Sequence, residues 1–224
     1  MTEPLSGDEF LDKKQDYSPL LVHLTRDGMD ETGNVSVCAK DVLDCILHEQ
    51  TLRAFNYYCL FKSDLEQQSS SLQDLFKVVC FTETPLDQIS ILLKQVYGRN
   101  ITYAPYGLVF KKEYIRQYGG NPVFYANPSL FDSLWRLYRL ASGDNFTLRE
   151  NRFLALVNKC DETVDFHWER EWRIVDRLEF SLDDIYCGLC PPEDISYFEN
   201  KHSQVKFISP YWGINKILDK LVGR

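Results

Sequence analysis

Residues 77–85 read Lys-Val-Val-Cys-Phe-Thr-Glu-Thr-Pro, a β-strand that runs directly into a helix start. The Val-Val-Cys-Phe run is typical of a buried strand that ends at Thr82. Thr84 is a residue type that caps helices, the following proline suits the first helical turn, and Asp87 completes a capping box. The segment therefore predicts a strand followed at once by a helix that ends near Gly98.

Apolar alternation predicts further strands on both sides of this segment. Residues 17–25 place Leu20, Val22 and Leu24 on one face and Leu21, His23 and Thr25 on the other. Later strands are predicted at 106–110, 122–125, 172–175, 185–188 and 205–208. Strands and helices follow one another without regular alternation, so we predict an α+β protein with a mixed or antiparallel central sheet of about six strands flanked by helices.

Length and composition favour one globular domain. The chain has 224 residues, and its 44% apolar and 14% aromatic content excludes a disordered protein. We predict an acidic, loosely ordered arm at 1–17 and a single α+β domain at 18–224. No apolar run approaches the roughly 20 residues needed to span a bilayer, and no signal peptide is visible, so we expect no membrane association.

Seven cysteines, an odd number, do not form a disulfide framework and favour reduced thiols in a cytoplasmic protein. Cys187-Gly188-Leu189-Cys190 is a single CxxC pair, and His202 would bring its ligands only to three. A structural zinc site needs four ligands, so we predict no metal site.

Charge is distributed unevenly along the chain. The net charge is −8, but residues 1–31 carry −5 and residues 94–152 carry +5. A basic middle in an acidic chain indicates either an anionic ligand or solvated helix faces. Residues 62–74 are polar and predict a loop or lid.

The densest group of chemically active residues is at 166–175, Phe-His-Trp-Glu-Arg-Glu-Trp-Arg-Ile-Val. On a strand, His167, Glu169, Glu171 and Arg173 would share one face, with the two carboxylates about 7 Å apart. This face is either an edge stabilised by salt bridges or a carboxylate pair directed into a cleft. If it is only structural, Glu171→Gln should change stability by less than about 1 kcal/mol.

Two further segments carry polar groups that can bind a ligand. His23 and Thr25 point the same way from the first strand, where both can hydrogen-bond a polar ligand, although a satisfied structural histidine fits equally. Thr82 and Thr84 stand between a strand end and a helix N-terminus, which is either an anion site or a simple cap.

Taken in chain order, these segments resemble the ADP-ribosyltransferase superfamily. An early His-x-Thr, a middle strand that ends in hydroxyls and a late Glu-x-Glu match the order of that family's motifs. The Glu-x-Glu is similar to that of arginine-directed members, and the His-x-Thr strand resembles the DarT branch, which modifies DNA bases. The resemblance implies an ADP-ribosyltransferase-like fold and NAD as the substrate.

A second resemblance covers most of the chain. It rests on Leu21-Val22-His23-Leu24-Thr25, on 79–85, on 106–110, on 121–125 and on Glu169-Arg170-Glu171-Trp172-Arg173. These segments resemble the AbiGi-type abortive phage resistance proteins of bacteria. That resemblance implies a role in antiphage defence, with a partner protein from the same operon as one option.

The transferase resemblance implies a role for each matching residue. His23 would contact the NAD ribose, and Thr82 or Thr84 would line the nicotinamide site. Glu171 would hydrogen-bond the ribose 2′-hydroxyl and stabilise the oxocarbenium-like transition state, while Glu169 would orient or deprotonate the acceptor.

Thr25 and Arg173 complete the residues expected to bind NAD, and the basic middle would meet the pyrophosphate or a nucleic-acid or protein acceptor. Glu83 departs from the pattern, because an inward-facing third carboxylate would repel the pyrophosphate.

Two alternatives remain open from the sequence. Glu83, Glu169 and Glu171 could surround Mg²⁺ in a nucleic-acid effector. Alternatively, the protein is a non-catalytic sensor or neutralising partner, in which case the Glu-x-Glu face should be buried in salt bridges and no deep cleft should exist.

Overall fold

The computed structural model describes residues 17–29, 35–95, 101–141, 151–162 and 165–223. Apart from Tyr17, the acidic arm predicted at 1–17 lies outside these residues. The strands are β1 Leu20–Leu24, β2 Gly28–Met29, β3 Val35–Val37, β4 Thr51–Leu52, β5 Val78–Thr82, β6 Gly107–Lys111, β7 Asn121–Pro122, β8 Phe124–Ala126, β9 Val157–Lys159, β10 Glu171–Val175, β11 Leu178–Glu179, β12 Ile185–Leu189 and β13 Phe207–Ile208. The α-helices are α1 Ala39–Glu49, α2 Lys62–Leu65, α3 Ser70–Asp74, α4 Ile89–Leu92, α5 Lys112–Gln117, α6 Phe131–Ala141, α7 Ile195–Lys201 and α8 Ile214–Val222. Short 3-10 helices lie at Leu86–Gln88, Pro128–Leu130, Arg152–Leu156, His167–Glu169, Leu182–Asp184 and Pro192–Asp194.

Seven strands form one central sheet in the order β13-β12-β6-β1-β5-β10-β7. Every neighbouring pair is antiparallel except β12 and β13, which are parallel. The predicted α+β class and mostly antiparallel sheet are confirmed, with seven strands in place of about six.

Both faces of the sheet are buried. Because successive side chains of a strand point to opposite sides, β1 contributes to the core on both faces. Leu21 packs in one cluster with Phe81 of β5 and Leu43 of α1. Val22 packs in another cluster with Val109 of β6 and with residues of α4 and α8. The alternation predicted for residues 20–24 is therefore confirmed, and helices cover both faces.

A third cluster lies beside β10 and changes the prediction for residues 62–74. The segment contains α2 and α3, not an open loop, because Leu65 and Leu72 are buried in this cluster. Tyr138 of α6 stacks on Phe61, with ring centroids 4.4 Å apart. The cluster thus fixes the chain that leads into α2.

The capping box predicted after β5 is wrong. The Thr84 hydroxyl lies 2.8 Å from the Thr82 hydroxyl, and no side chain caps the 3-10 helix that follows Pro85. Only the single turn α4 follows that 3-10 helix before Leu93, and the predicted helix end at Gly98 lies outside the described residues. The hydroxyl that could have capped the helix is used inside the core instead.

Where β6 pairs with β1, a glycine is required. A Cβ on Gly107 would lie 2.3 Å from the backbone carbonyl oxygen of His23, which cannot move without displacing β1. We expect Gly107→Ala to destabilise the protein by about 1–3 kcal/mol or more. Gly213→Ala is the matched control, because a Cβ there meets nothing within 4 Å. Equal free energies of unfolding for the two variants in urea would contradict the predicted clash.

Candidate functional site

A cleft opens where β1 and β5 separate. The two strands pair through Val22 and Thr82, and beyond that pair β1 continues along β6 while β5 continues along β10. The cleft has a volume of about 1260 Å³. A split between two strands exposes backbone groups and side chains of both, so it is a natural place for a polar ligand.

His23 occupies the point of separation. Its Nδ1 lies 2.8 Å from the carbonyl oxygen of Cys80, and its ring packs edge-on against Phe81 with centroids 5.8 Å apart. The imidazole thus bridges from β1 to the backbone of β5. Burial lowers the pKa of His23, and the hydrogen bond to Cys80 offsets this only in part.

This pKa shift predicts a pH-dependent stability. Above the ordinary pKa of 6.5, His23 is neutral in both states; below it the unfolded chain takes up a proton that the folded chain resists. Stability should therefore fall as pH falls from about 7 to 5, by at most about 1.4 kcal/mol per pH unit from this group.

The measurement is the free energy of unfolding across that pH range. His23→Gln should flatten the slope, and His48→Gln, at an exposed histidine of α1, serves as the control substitution. An unchanged slope in His23→Gln would contradict the assignment.

Six of the seven predicted site residues line this one cleft. They come from β1 and the residue after it, from β5, and from β10 and the 3-10 turn before it: His23, Thr25, Thr82, Glu169, Glu171 and Arg173. Thr84, the seventh, is buried and does not line the cleft. The predicted clustering of residues far apart in the sequence is therefore present in the fold.

Glu171, which lines the cleft, is held by three side-chain hydrogen bonds. Arg173 Nε and Nη2 donate to its two carboxylate oxygens at 2.8 and 3.0 Å, and the Tyr125 hydroxyl donates to Oε2 at 3.1 Å. Arg173 Nη1 donates to the carbonyl of Ala155 at 2.9 Å. The side chain of Glu171 is 12% exposed and that of Arg173 1%.

The Glu171 carboxylate stabilises the charged form of Arg173. Burial lowers the pKa of the Arg173 guanidinium, but the Glu171 charge outweighs burial and the pKa is raised. Burial and the same carboxylate raise the pKa values of Tyr125 and Cys80, so both stay protonated beside it. Arg173 was predicted to bind the cofactor. Its hydrogen bonds are instead to Glu171, which it orients, and to the carbonyl of Ala155.

The strand predicted at 172–175 is present as β10, but it does not extend back through residues 166–170, as a shared face for His167, Glu169, Glu171 and Arg173 would require. His167–Glu169 form a 3-10 turn, Arg170 has a left-handed φ of 49°, and β10 starts at Glu171. His167 and Glu169 therefore do not share a strand face with Glu171, and the predicted spacing of two carboxylates along one strand is wrong.

The turn nevertheless brings Glu169 to the cleft. The Thr82 hydroxyl donates to the carbonyl oxygen of Glu169 at 2.6 Å and also contacts the Thr84 hydroxyl. Thr25 has a similar structural use, because its hydroxyl lies 3.2 Å from the carbonyl of Tyr106 and 3.3 Å from that of Ala39. Both threonines line the cleft, and each also ties one of its walls to the backbone.

Glu83 points away from the cleft. Lys112 Nζ lies 2.7 Å from its carboxylate, Arg170 Nη2 lies 3.2 Å away, and Trp172 Nε1 donates at 2.9 Å. The objection that Glu83 would repel a pyrophosphate is thus removed. Nor does Glu83 join Glu169 and Glu171 in any set of close metal ligands within the described ranges.

The basic side chains of the cleft come from outside the basic middle at 94–152. They are Arg26, Arg53, Lys62, Lys159 and Arg173. Arg53 pairs with Glu49, Lys62 with Glu66 and Lys159 with Asp161. Arg26 has no ion-pair partner among the residues that the structure describes.

Aromatic residues form much of the remaining wall, and no sequence motif marks most of them. They are Phe55, Tyr58, Phe81, Tyr103, Tyr125 and Phe166. Tyr125 was placed in a predicted strand, but no pattern in the sequence indicates that its hydroxyl meets a carboxylate 46 positions later. The pairing of β7 with β10 and the hydrogen bond from the Val123 N–H to the Glu171 carbonyl bring this segment beside Glu171.

Comparison with family models, with curated proteins and with solved structures finds no match for this chain. In the part of the chain described, no helix has both the length and the apolar character needed to cross a membrane. All seven cysteines are free thiols, as predicted.

Proposed function

We propose that this protein cleaves NAD as an ADP-ribosyltransferase or NAD glycohydrolase and acts in bacterial antiphage defence. The observation that carries the proposal is the cleft itself. It gathers His23, Thr25, Thr82, Glu169 and Glu171 from three separate segments into one concave site. The mostly antiparallel sheet around it supports an ADP-ribosyltransferase-like fold as part of the same proposal.

In this proposal, Glu171 is the catalytic carboxylate. Arg173 and Tyr125 orient it, so that an oxygen is directed to the ribose 2′-hydroxyl as positive charge develops at C1′. A fixed carboxylate is effective because it needs no reorganisation during the reaction. Arg173 is then a positioning residue for Glu171.

The bond between C1′ and the nicotinamide nitrogen breaks, and its electron pair leaves with neutral nicotinamide. The acceptor oxygen or nitrogen forms the new bond to C1′. Glu169 takes the proton from that acceptor, which is water in hydrolysis and a nucleic-acid or protein group in transfer. Arg26 attracts the pyrophosphate, and the aromatic walls offer stacking surfaces to the two bases.

A non-catalytic sensor or neutralising partner in a defence operon is the second candidate. It is favoured by the neutralisation of Glu171 in a bidentate pair with Arg173. The cleft argues against it, because this alternative predicts no deep concave site. Both candidates set the protein in the cytoplasm, in keeping with its free cysteines.

The deciding experiment measures nicotinamide release. The purified chain is incubated with NAD, alone and with cell lysate as a source of acceptors. We expect release in at least one condition and its loss in Glu171→Gln. Release only with lysate would indicate transfer, and release without it would indicate hydrolysis. No release by a folded protein in either condition would replace the proposal with the non-catalytic partner.

A further inference from the structure

A second group of reactive side chains lies next in sequence to Lys159 and Phe166, which line the cleft. Cys160, Asp165 and His167 each offer one ligand atom, and these atoms all lie within 4.8 Å of one another. Across the described ranges, no other set of three histidine, cysteine or acidic residues comes this close. The group flanks the connection from β9 to β10.

Its members are held by different parts of the fold. The backbone N–H of Cys160 donates to the carbonyl of Ala126 at 2.8 Å, which fixes it at the end of β9. Asp165 Oδ1 accepts from the His167 backbone N–H at 3.0 Å and lies 2.8 Å from its Nδ1. The His167 ring packs against Tyr125, with centroids 4.7 Å apart.

We propose that Cys160, Asp165 and His167 form a Zn²⁺-binding site that clamps the connection between β9 and β10. A thiolate, an imidazole and a carboxylate together match the ligand preference of zinc better than that of magnesium or calcium. Three protein ligands leave the fourth tetrahedral position to water, so this is an open site and not a closed four-ligand one.

The geometry needs only a small adjustment. Tetrahedral zinc with these ligands places neighbouring donor atoms about 3.3–3.6 Å apart. The group therefore contracts from its widest separation of up to 4.8 Å, while the hydrogen-bonded Asp165–His167 pair opens slightly from 2.8 Å. Asp165 and His167 are exposed, so this adjustment displaces solvent and not packed core side chains.

Metal binding would stiffen one wall of the cleft. The clamp would join the end of β9 to the 3-10 turn that carries Glu169. It would also fix the ring against which Tyr125, the hydrogen-bond donor to Glu171, is packed. This inference does not depend on NAD chemistry and is tested without NAD.

The test uses Co²⁺ as a spectroscopic probe of the reduced, chelator-treated full chain. We expect one equivalent to bind, with a thiolate-to-cobalt charge-transfer band and visible bands typical of tetrahedral cobalt, and Zn²⁺ to displace it. Cys160→Ser should remove the charge-transfer band. His167→Ala and Asp165→Asn should weaken binding more than about 100-fold, since even outer-shell partners are worth about 10–100-fold.

The matched controls are Cys45→Ser and His48→Ala, exposed residues of the same types on α1. They should leave the spectrum and the affinity unchanged. Melting curves in chelator should coincide for all variants, which establishes that each is folded. Absence of a charge-transfer band at saturating Co²⁺, or a band that persists in Cys160→Ser, would overturn the proposal.

Discussion

Glu171→Gln is expected to reduce nicotinamide release from NAD by about 100- to 1,000-fold or more, the range found when one electrostatic contact to a transition state is removed. Glutamine keeps the shape of the side chain and one acceptor oxygen. It cannot supply the negative charge that stabilises the oxocarbenium-like transition state. The measurement is the initial rate of nicotinamide release at saturating NAD, which reports kcat.

The same substitution also affects stability, and the structure corrects the sequence-based expectation here. A change of less than about 1 kcal/mol assumes an exposed carboxylate pair. Glu171 is instead the partner of a guanidinium that is only 1% exposed. Loss of its charge should cost about 3 kcal/mol, near the lower end of the range for breaking a buried ion pair.

Glu83→Gln separates the two effects. It is the same substitution in a similarly buried pair, because Glu83 is 13% exposed and its partner Lys112 is 3% exposed. This variant should therefore be destabilised to a similar extent. Because Glu83 does not line the cleft, the variant should keep its activity at a temperature where both variants are folded. Equal loss of activity in both would assign the effect to stability and remove Glu171 from the catalytic role.

Local patterns predicted much of the fold, because strand alternation is a local property. The faces of β1 follow directly from the period of two, and the packing of Leu21 and Val22 in different clusters confirms them. The split between β1 and β5 could not be predicted. It depends on which strands pair beyond Val22 and Thr82, and strand pairing is set by the whole sheet.

The sequence indicated most of the residues that line the cleft, but not how these residues are arranged. Glu169 reaches the cleft through a turn that ends at Arg170. Arg170 has a positive φ, a conformation that an arginine in the sequence does not indicate. Thr82 and Thr84 match a cap pattern, but the hydroxyl of Thr82 meets a carbonyl from a segment 87 positions away. Contacts of this range carry no signature in a single sequence.

Arg173→Met is expected to destabilise the protein by about 3–5 kcal/mol, because it leaves Glu171 as a buried carboxylate without its cation. Methionine fills most of the volume, so the loss reports the charge and hydrogen bonds more than a cavity. The free energy of unfolding in urea measures it. Arg177→Met is the control: its pair with Glu179 is about as short, at 2.8 Å, but its side chain is 60% exposed, so the expected loss is below about 1 kcal/mol.

A double variant tests whether the pair acts as a unit. Glu171→Leu combined with Arg173→Met removes both charges, and replacing a whole buried pair with apolar residues is often nearly neutral. We therefore expect the double variant to be more stable than Arg173→Met alone, although the Ala155 carbonyl and the Tyr125 hydroxyl lose partners. If the loss in the double variant equals the sum of the losses in Glu171→Leu and Arg173→Met, this expectation is contradicted. Arg173 would then stabilise the fold through its bond to Ala155 and not through Glu171. Recovery of stability in the double variant would instead show that the ion pair holds a charge in the cleft at a cost in stability. That arrangement is expected of a catalytic carboxylate.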